Sequence, residues 1–144
     1  MIYLDNAAST PVHDQVFQEM IPFLKEQFGN PSSIHHYGRL AQRAIQNARK
    51  QIAFLINAQP NEILLTSGGT ESNNTALFGI ASIKKGKHII TSSIEHEAIL
   101  EPCRKLEREE FRITHIPVDD KGVINPKDVE NAMKWYNFTL KNQK

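Results

Sequence analysis

The chain has 144 residues, 40% of them hydrophobic and 23% charged, a composition suited to one globular domain with a packed core and unlike that of a disordered or fibrous chain. Lys and Arg total 17 against 16 Asp and Glu, leaving a net charge of +1. With no basic cluster beyond Lys84, Lys85 and Lys87, a nucleic-acid partner is not expected. No apolar stretch is long enough to span a bilayer, Met1-Ile2-Tyr3-Leu4-Asp5 lacks the features of a signal segment, and the single Cys103 allows no internal disulfide, so a cytoplasmic protein without a membrane partner is expected.

From Pro11 to Phe28, Val16, Met20, Phe23 and Leu24 recur at helical spacing with Val12 and Phe17 beside them, a pattern broken at Pro22 and closed by Gly29. Asn30-Pro31-Ser32-Ser33 reads as a loop. From Tyr37 onward, Ala41, Ile45, Ala48, Ile52 and Leu55 mark one face of a long helix ending near Asn57. The pattern then predicts a strand over 62–66, a helix over 70–84, a strand over 88–92, a helix over about 96–110, a strand over 111–118 and a last helix opening at Pro126. Such alternation is that of an α/β sheet covered by helices, and no repeat, low-complexity tract or linker interrupts it.

The segment Leu65-Thr66-Ser67-Gly68-Gly69-Thr70-Glu71-Ser72-Asn73-Asn74 turns from an extended apolar run through two glycines into a helical pattern. At a helix start the first N–H groups have no intrahelical acceptor and the macrodipole is positive, so this turn can hold an anion without Lys or Arg. Gly68 and Gly69 allow close approach, Thr70 adds a hydroxyl, and Asn73 follows one turn later. An ordinary capped helix fits the same residues. His96, flanked by Glu95 and Glu97 at another predicted helix start, reads either as a structural hydrogen-bonding residue or as one that handles protons. Position 100 is Leu, so the zinc-protease spacing is absent, and no metal site is expected. Nucleophile-elbow, dinucleotide and Walker sequences are absent as well.

Three further segments accompany the Gly-Gly-Thr turn: Tyr3-Leu4-Asp5-Asn6-Ala7-Ala8-Ser9-Thr10-Pro11, Gly29-Asn30-Pro31-Ser32-Ser33-Ile34-His35, and His88-Ile89-Ile90-Thr91-Ser92-Ser93-Ile94-Glu95-His96-Glu97-Ala98. In that order and spacing the four closely resemble the N-terminal part of the NifS/IscS-like cysteine desulfurases, pyridoxal 5'-phosphate (PLP) enzymes of the class V aminotransferase group, from residue 2 to about residue 134. The resemblance implies part of a fold-type I PLP-transferase large domain, a helix-covered and mostly parallel sheet preceded by a helical segment. The expected organisation is a loop and helical segment over 1–57, the start of the PLP-binding domain over 58–134 and a divergent tail over 135–144.

The resemblance also implies roles. Gly69 and Thr70 would hold the cofactor phosphate, and His96 would stack over the pyridine ring and move protons as the catalytic residue. Asn6 and Ala7 would border the substrate, L-cysteine. In the family the Schiff-base lysine, the acidic partner of the pyridine nitrogen and the sulfur-accepting cysteine lie beyond the part matched here. Cys103, within a predicted helix, reads as a packed residue rather than that acceptor. From Trp135 to Lys144 the chain departs from the family pattern, as a truncation would, and exposed apolar surface is expected. The expectation is therefore an N-terminal fragment, inactive alone, of an enzyme that makes L-alanine and transfers sulfur for iron-sulfur or thio-cofactor assembly. Its parent would be a homodimer, and a second chain could supply the missing part. A non-catalytic phosphate-binding or partner-binding remnant, a degenerate gene product without activity, or a parent with another class V activity such as selenocysteine lyase stays open.

Overall fold

The computed structural model describes residues 2–83 and 86–141, with side chains described as far as Lys134. It divides into two compact units, residues 1–65 and 66–144.

In the first unit, α1 (Asp14–Lys25) opens on His13, whose side chain accepts the Gln15 N–H at 3.3 Å. Pro22 lies inside α1 and does not break it, contrary to the sequence expectation. A proline removes only its own donor, and here its carbonyl still accepts the N–H groups of Glu26 and Gln27 as the helix ends one turn later. None of the side chains of α1 is buried; Val16 is 52% exposed. The loop from Gly29 to His35 lies backbone to backbone against the start of α2 (His36–Leu55). A Cβ on Gly29 would come within 2.5 Å of the Tyr37 carbonyl carbon, and one on Gly38 within 2.2 Å of the Ser33 carbonyl oxygen, so both positions require glycine. Phe28 stacks on Tyr37 beside them, ring centroids 5.9 Å apart.

The long helix α2 buries Gly38, Ala41 and Ala53. It ends in a left-handed cap at Asn57 (φ 54°), with Ala58 N–H donating to the Ala53 carbonyl and Asn57 N–H to that of Phe54. A short 3₁₀ turn, Pro60–Glu62, packs against α2, and Glu62 Oε2 accepts the Gln59 N–H at 2.7 Å. The strand expected over 62–66 is not formed. Ile63 is extended (φ −91°, ψ 116°), but among the described residues nothing pairs with this segment. Sequence pattern sets the extended conformation, whereas a strand also needs a neighbour.

The second unit is built on α3 (Gly69–Ile83), β1 (His88–Ser92), α4 (Glu97–Arg108), β2 (Arg112–Ile116) and α5 (Pro126–Lys141). Lys84, Lys85 and residues 142–144, which carry part of the expected basic turn and tail, lie outside the described residues. β1 and β2 pair in parallel with His88 opposite Arg112 and Ser92 opposite Ile116, joined through α4. This is the α/β architecture the alternation predicts. In α4 the buried residues are Ala98, Pro102, Cys103 and Leu106, an i, i+4, i+5, i+8 stripe that packs on β2 and α3. The helix ends as α2 does, with Glu110 left-handed (φ 68°) and Phe111 N–H returning to the Leu106 carbonyl. α5 opens on Asn125, whose side chain accepts the Lys127 N–H, and packs against both strands. It flanks a cleft of about 640 Å³ lined by Ile90, Ile116, Ile124, Val129 and Met133, so apolar surface remains open on the unit.

Two outcomes follow from this core. Cys103 is fully buried, and burial, with the charge of Glu95 added, pushes its thiol above the ordinary value. The folded chain should not react with a thiol reagent, the unfolded chain should react stoichiometrically, and Cys103→Ser should cost about 1–3 kcal/mol in a denaturant melt. Rapid labelling of the folded chain would contradict this packing. His88 Nε2 lies 2.8 Å from Thr114 Oγ1, and burial, then the nearby Arg112 charge, holds its pKa below the ordinary 6.5. The unfolded chain therefore takes up this proton more readily. The His88 contribution is complete above about 6.5 and is lost as pH falls through the lowered folded value. The denaturation midpoint should drop between about pH 7.5 and about pH 5.5, and His88→Gln should lessen the drop.

Candidate functional site

The head of α3 is laced by its own side chains. Ser67 donates both its N–H (2.6 Å) and its hydroxyl (2.7 Å) to Glu71 Oε2, and these bonds hold the Glu71 carboxyl below the ordinary carboxylate value. Thr66 Oγ1 and Ser72 Oγ lie 2.6 Å apart, and both hydroxyls also reach the Gly68 carbonyl. Among the described residues, no acceptor takes the N–H groups of Gly69, Thr70 or Glu71, as is normal for the first turn of a helix. Neither Gly68 nor Gly69 has a positive φ, and a Cβ at either would meet no atom within 4 Å. Backbone conformation and internal packing therefore leave both glycines unexplained.

His96 caps α4. Its Nδ1 accepts the Ala98 N–H at 3.0 Å, which makes Nδ1 the bare nitrogen of the neutral ring and places the proton on Nε2. The residue is exposed. Thr70 and His96 line one groove of about 670 Å³ between α3 and α4, with Asn74 and Phe78 on the α3 wall and Glu97, Glu101 and Lys105 on the α4 wall. Lys105 Nζ sits 5.0 Å from the centroid of the Phe78 ring, and Arg104 pairs with Glu97 and Glu101. Gly69 precedes Thr70 in the chain but is not among the residues that line the groove. Asn74, not the expected Asn73, reaches the groove, and its Nδ2 donates to the Thr70 carbonyl at 2.8 Å. The i, i+4 relation to Thr70 was the available signal. Ser67 and Glu71, which shape the turn, were not singled out by sequence either; their i, i+4 spacing across a helix start is a variant of the capping box.

Asn6 and Ala7 belong to the first unit, in an exposed turn where the Asp5 carbonyl accepts the N–H groups of Ala8 and Ser9 and the Tyr3 hydroxyl meets Ser9 Oγ at 2.9 Å. Among the described residues no group of three or more His, Cys, Asp or Glu side chains could hold a metal ion, and no helix is long and apolar enough to cross a membrane.

The family model described as Aminotransferase class-V matches residues 2–137. The cysteine desulfurase IscS of Dictyoglomus turgidum is 55% identical over 135 residues, covering 92% of this chain and 34% of that protein. The IscS of Methanosarcina thermophila is 50% identical over the same length, covering 92% and 33%. Among solved structures, a NifS-like protein superposes with a TM-score of 0.85 at 39% identity, over 90% of this chain and 36% of that one. SspA in complex with cysteine gives 0.83 at 40% identity, over 92% and 39%. The chain thus spans about a third of the length of the relatives it matches. The head of α3 fits PLP, the cofactor the family resemblance implies: amides without an internal acceptor and a threonine hydroxyl suit a phosphate, and an exposed imidazole on the Thr70 groove suits an aromatic ring. The chain belongs to the aminotransferase class-V family.

Proposed function

We propose that this chain is the N-terminal, cofactor-holding part of a PLP-dependent cysteine desulfurase that converts L-cysteine to L-alanine and passes the sulfur on. The observation that carries the reading is the meeting of Thr70 and His96 on one groove at the heads of adjacent helices, within a chain 55% identical to a cysteine desulfurase. When bound, PLP supplies an electron sink for the carbon bonds of an amino acid. The amides of Gly69 and Thr70 bind its phosphate, and the Thr70 hydroxyl adds a donor. His96 would hold the aromatic ring, and because Nδ1 accepts the Ala98 amide, Nε2 is the atom left to carry and exchange a proton. Cys103, buried in α4, takes no part in sulfur transfer. Activity belongs to the complete enzyme, a cytoplasmic homodimer in this reading, whose remaining length supplies the lysine and the sulfur-accepting cysteine, on the same polypeptide or on a second chain.

The chain alone, given PLP and L-cysteine, should release no more alanine or sulfide than PLP alone. Mixed with a polypeptide covering the remaining two thirds of a relative, it should develop a cofactor absorption band and release both products. In that mixture His96→Ala should lower turnover about 100-fold or more, and Cys103→Ala less than about threefold. Equal losses from the two substitutions would refute the assignment of the site.

A further inference from the structure

We infer that Glu71 is a positioning residue for the anion site at the head of α3: by taking both donors of Ser67 it holds the turn so that the amides of Gly69 and Thr70 stay open to a phosphate ester. The inference rests on the phosphate role proposed above for that turn.

At an ordinary helix start the capping side chain takes an amide of the first turn, and an acidic residue three positions on reaches back to the capping residue's own N–H. Here the capping position is Gly68, which has no side chain, and Glu71 reaches past it to Ser67 at 2.6 and 2.7 Å. Of the Thr66 and Ser72 hydroxyls, 2.6 Å apart, one donates to the other, which in turn donates to the Gly68 carbonyl. The side chains of Thr66, Ser67, Glu71 and Ser72 are therefore bonded to something other than the first amides of α3. The Glu71 carboxylate, a natural acceptor at a helix start, is taken up by Ser67 and bonds none of the first amides of α3. Gly68 and Gly69 add open space where a side chain would stand. The arrangement leaves the first N–H groups of α3 uncapped by any side chain beside an acidic residue.

Charge and positioning give opposite signs. Were Glu71 only a nearby negative charge, its removal would strengthen phosphate binding by relieving repulsion. As a positioning residue, its removal loosens the turn and weakens binding.

The test titrates the full chain with inorganic phosphate and with PLP while following backbone amide resonances. In the unmodified chain the Gly69 and Thr70 amides should shift. Glu71→Ala should weaken both ligands about tenfold, whereas Glu71→Gln, which keeps an acceptor oxygen within reach of Ser67, should stay within about threefold. In the ligand-free chain Glu71→Ala should also lower the backbone order parameters of residues 67–70. Glu71 is exposed, so the variants leave the core intact. Unchanged or tighter binding by Glu71→Ala, or unchanged order, overturns the positioning role alone. Silence of Gly69 and Thr70 in the unmodified chain overturns the phosphate reading and the inference with it.

Discussion

Parallel pairing of β1 and β2 is the constraint from which the second unit takes its shape. Two parallel strands cannot be joined by a tight turn, so the chain must cross back through a helix, and α4 is that crossover. A crossover helix runs opposite to its strands, which brings its N-terminus to their carboxyl edge. α3, leading down into β1, runs the same way as α4 and packs beside it, so its N-terminus arrives at the same edge. Backbone direction alone thus brings the donor-rich heads of two helices to one groove, before any side chain is chosen. Thr70 and His96 are the residues this chain places there.

Local chemistry then divides the work between those heads. α4 begins on an imidazole that uses one nitrogen on the backbone and leaves the ring exposed. α3 begins on a glycine pair whose flanking hydroxyls and carboxylate bond to one another. One helix start presents a flat aromatic group and the other bare N–H donors, the two kinds of contact a phosphorylated aromatic cofactor needs.

Elements with strong periodicity were legible in the sequence. The expected strand at 88–92 matches β1 residue for residue, and the buried stripe of α4 follows its apolar spacing. What was not legible depended on partners distant in the chain or on geometry without a pattern. Residues 62–66 have strand-like composition and no neighbour to pair with among the described residues. Pro22 looked like a helix breaker because its missing donor is visible in sequence, while the surrounding carbonyl bonds that carry the helix past it are not. Gly69 and Thr70 stood out as a glycine turn into a helix start, and His96 chiefly through the family resemblance. Asn74 and Glu71 did not, since their parts follow from which way each side chain turns.

The close approach of Gly29 to Tyr37 and of Gly38 to Ser33 carries a mechanical consequence. Backbone lies on backbone there, closer than any side chain would permit, with the Phe28 and Tyr37 rings stacked alongside. The loop is fastened to the first turn of α2 like a bracket to the end of a beam. A small tilt of that 20-residue helix is then not absorbed by the loop but transmitted through it, swinging the exposed Ile34 with the helix end.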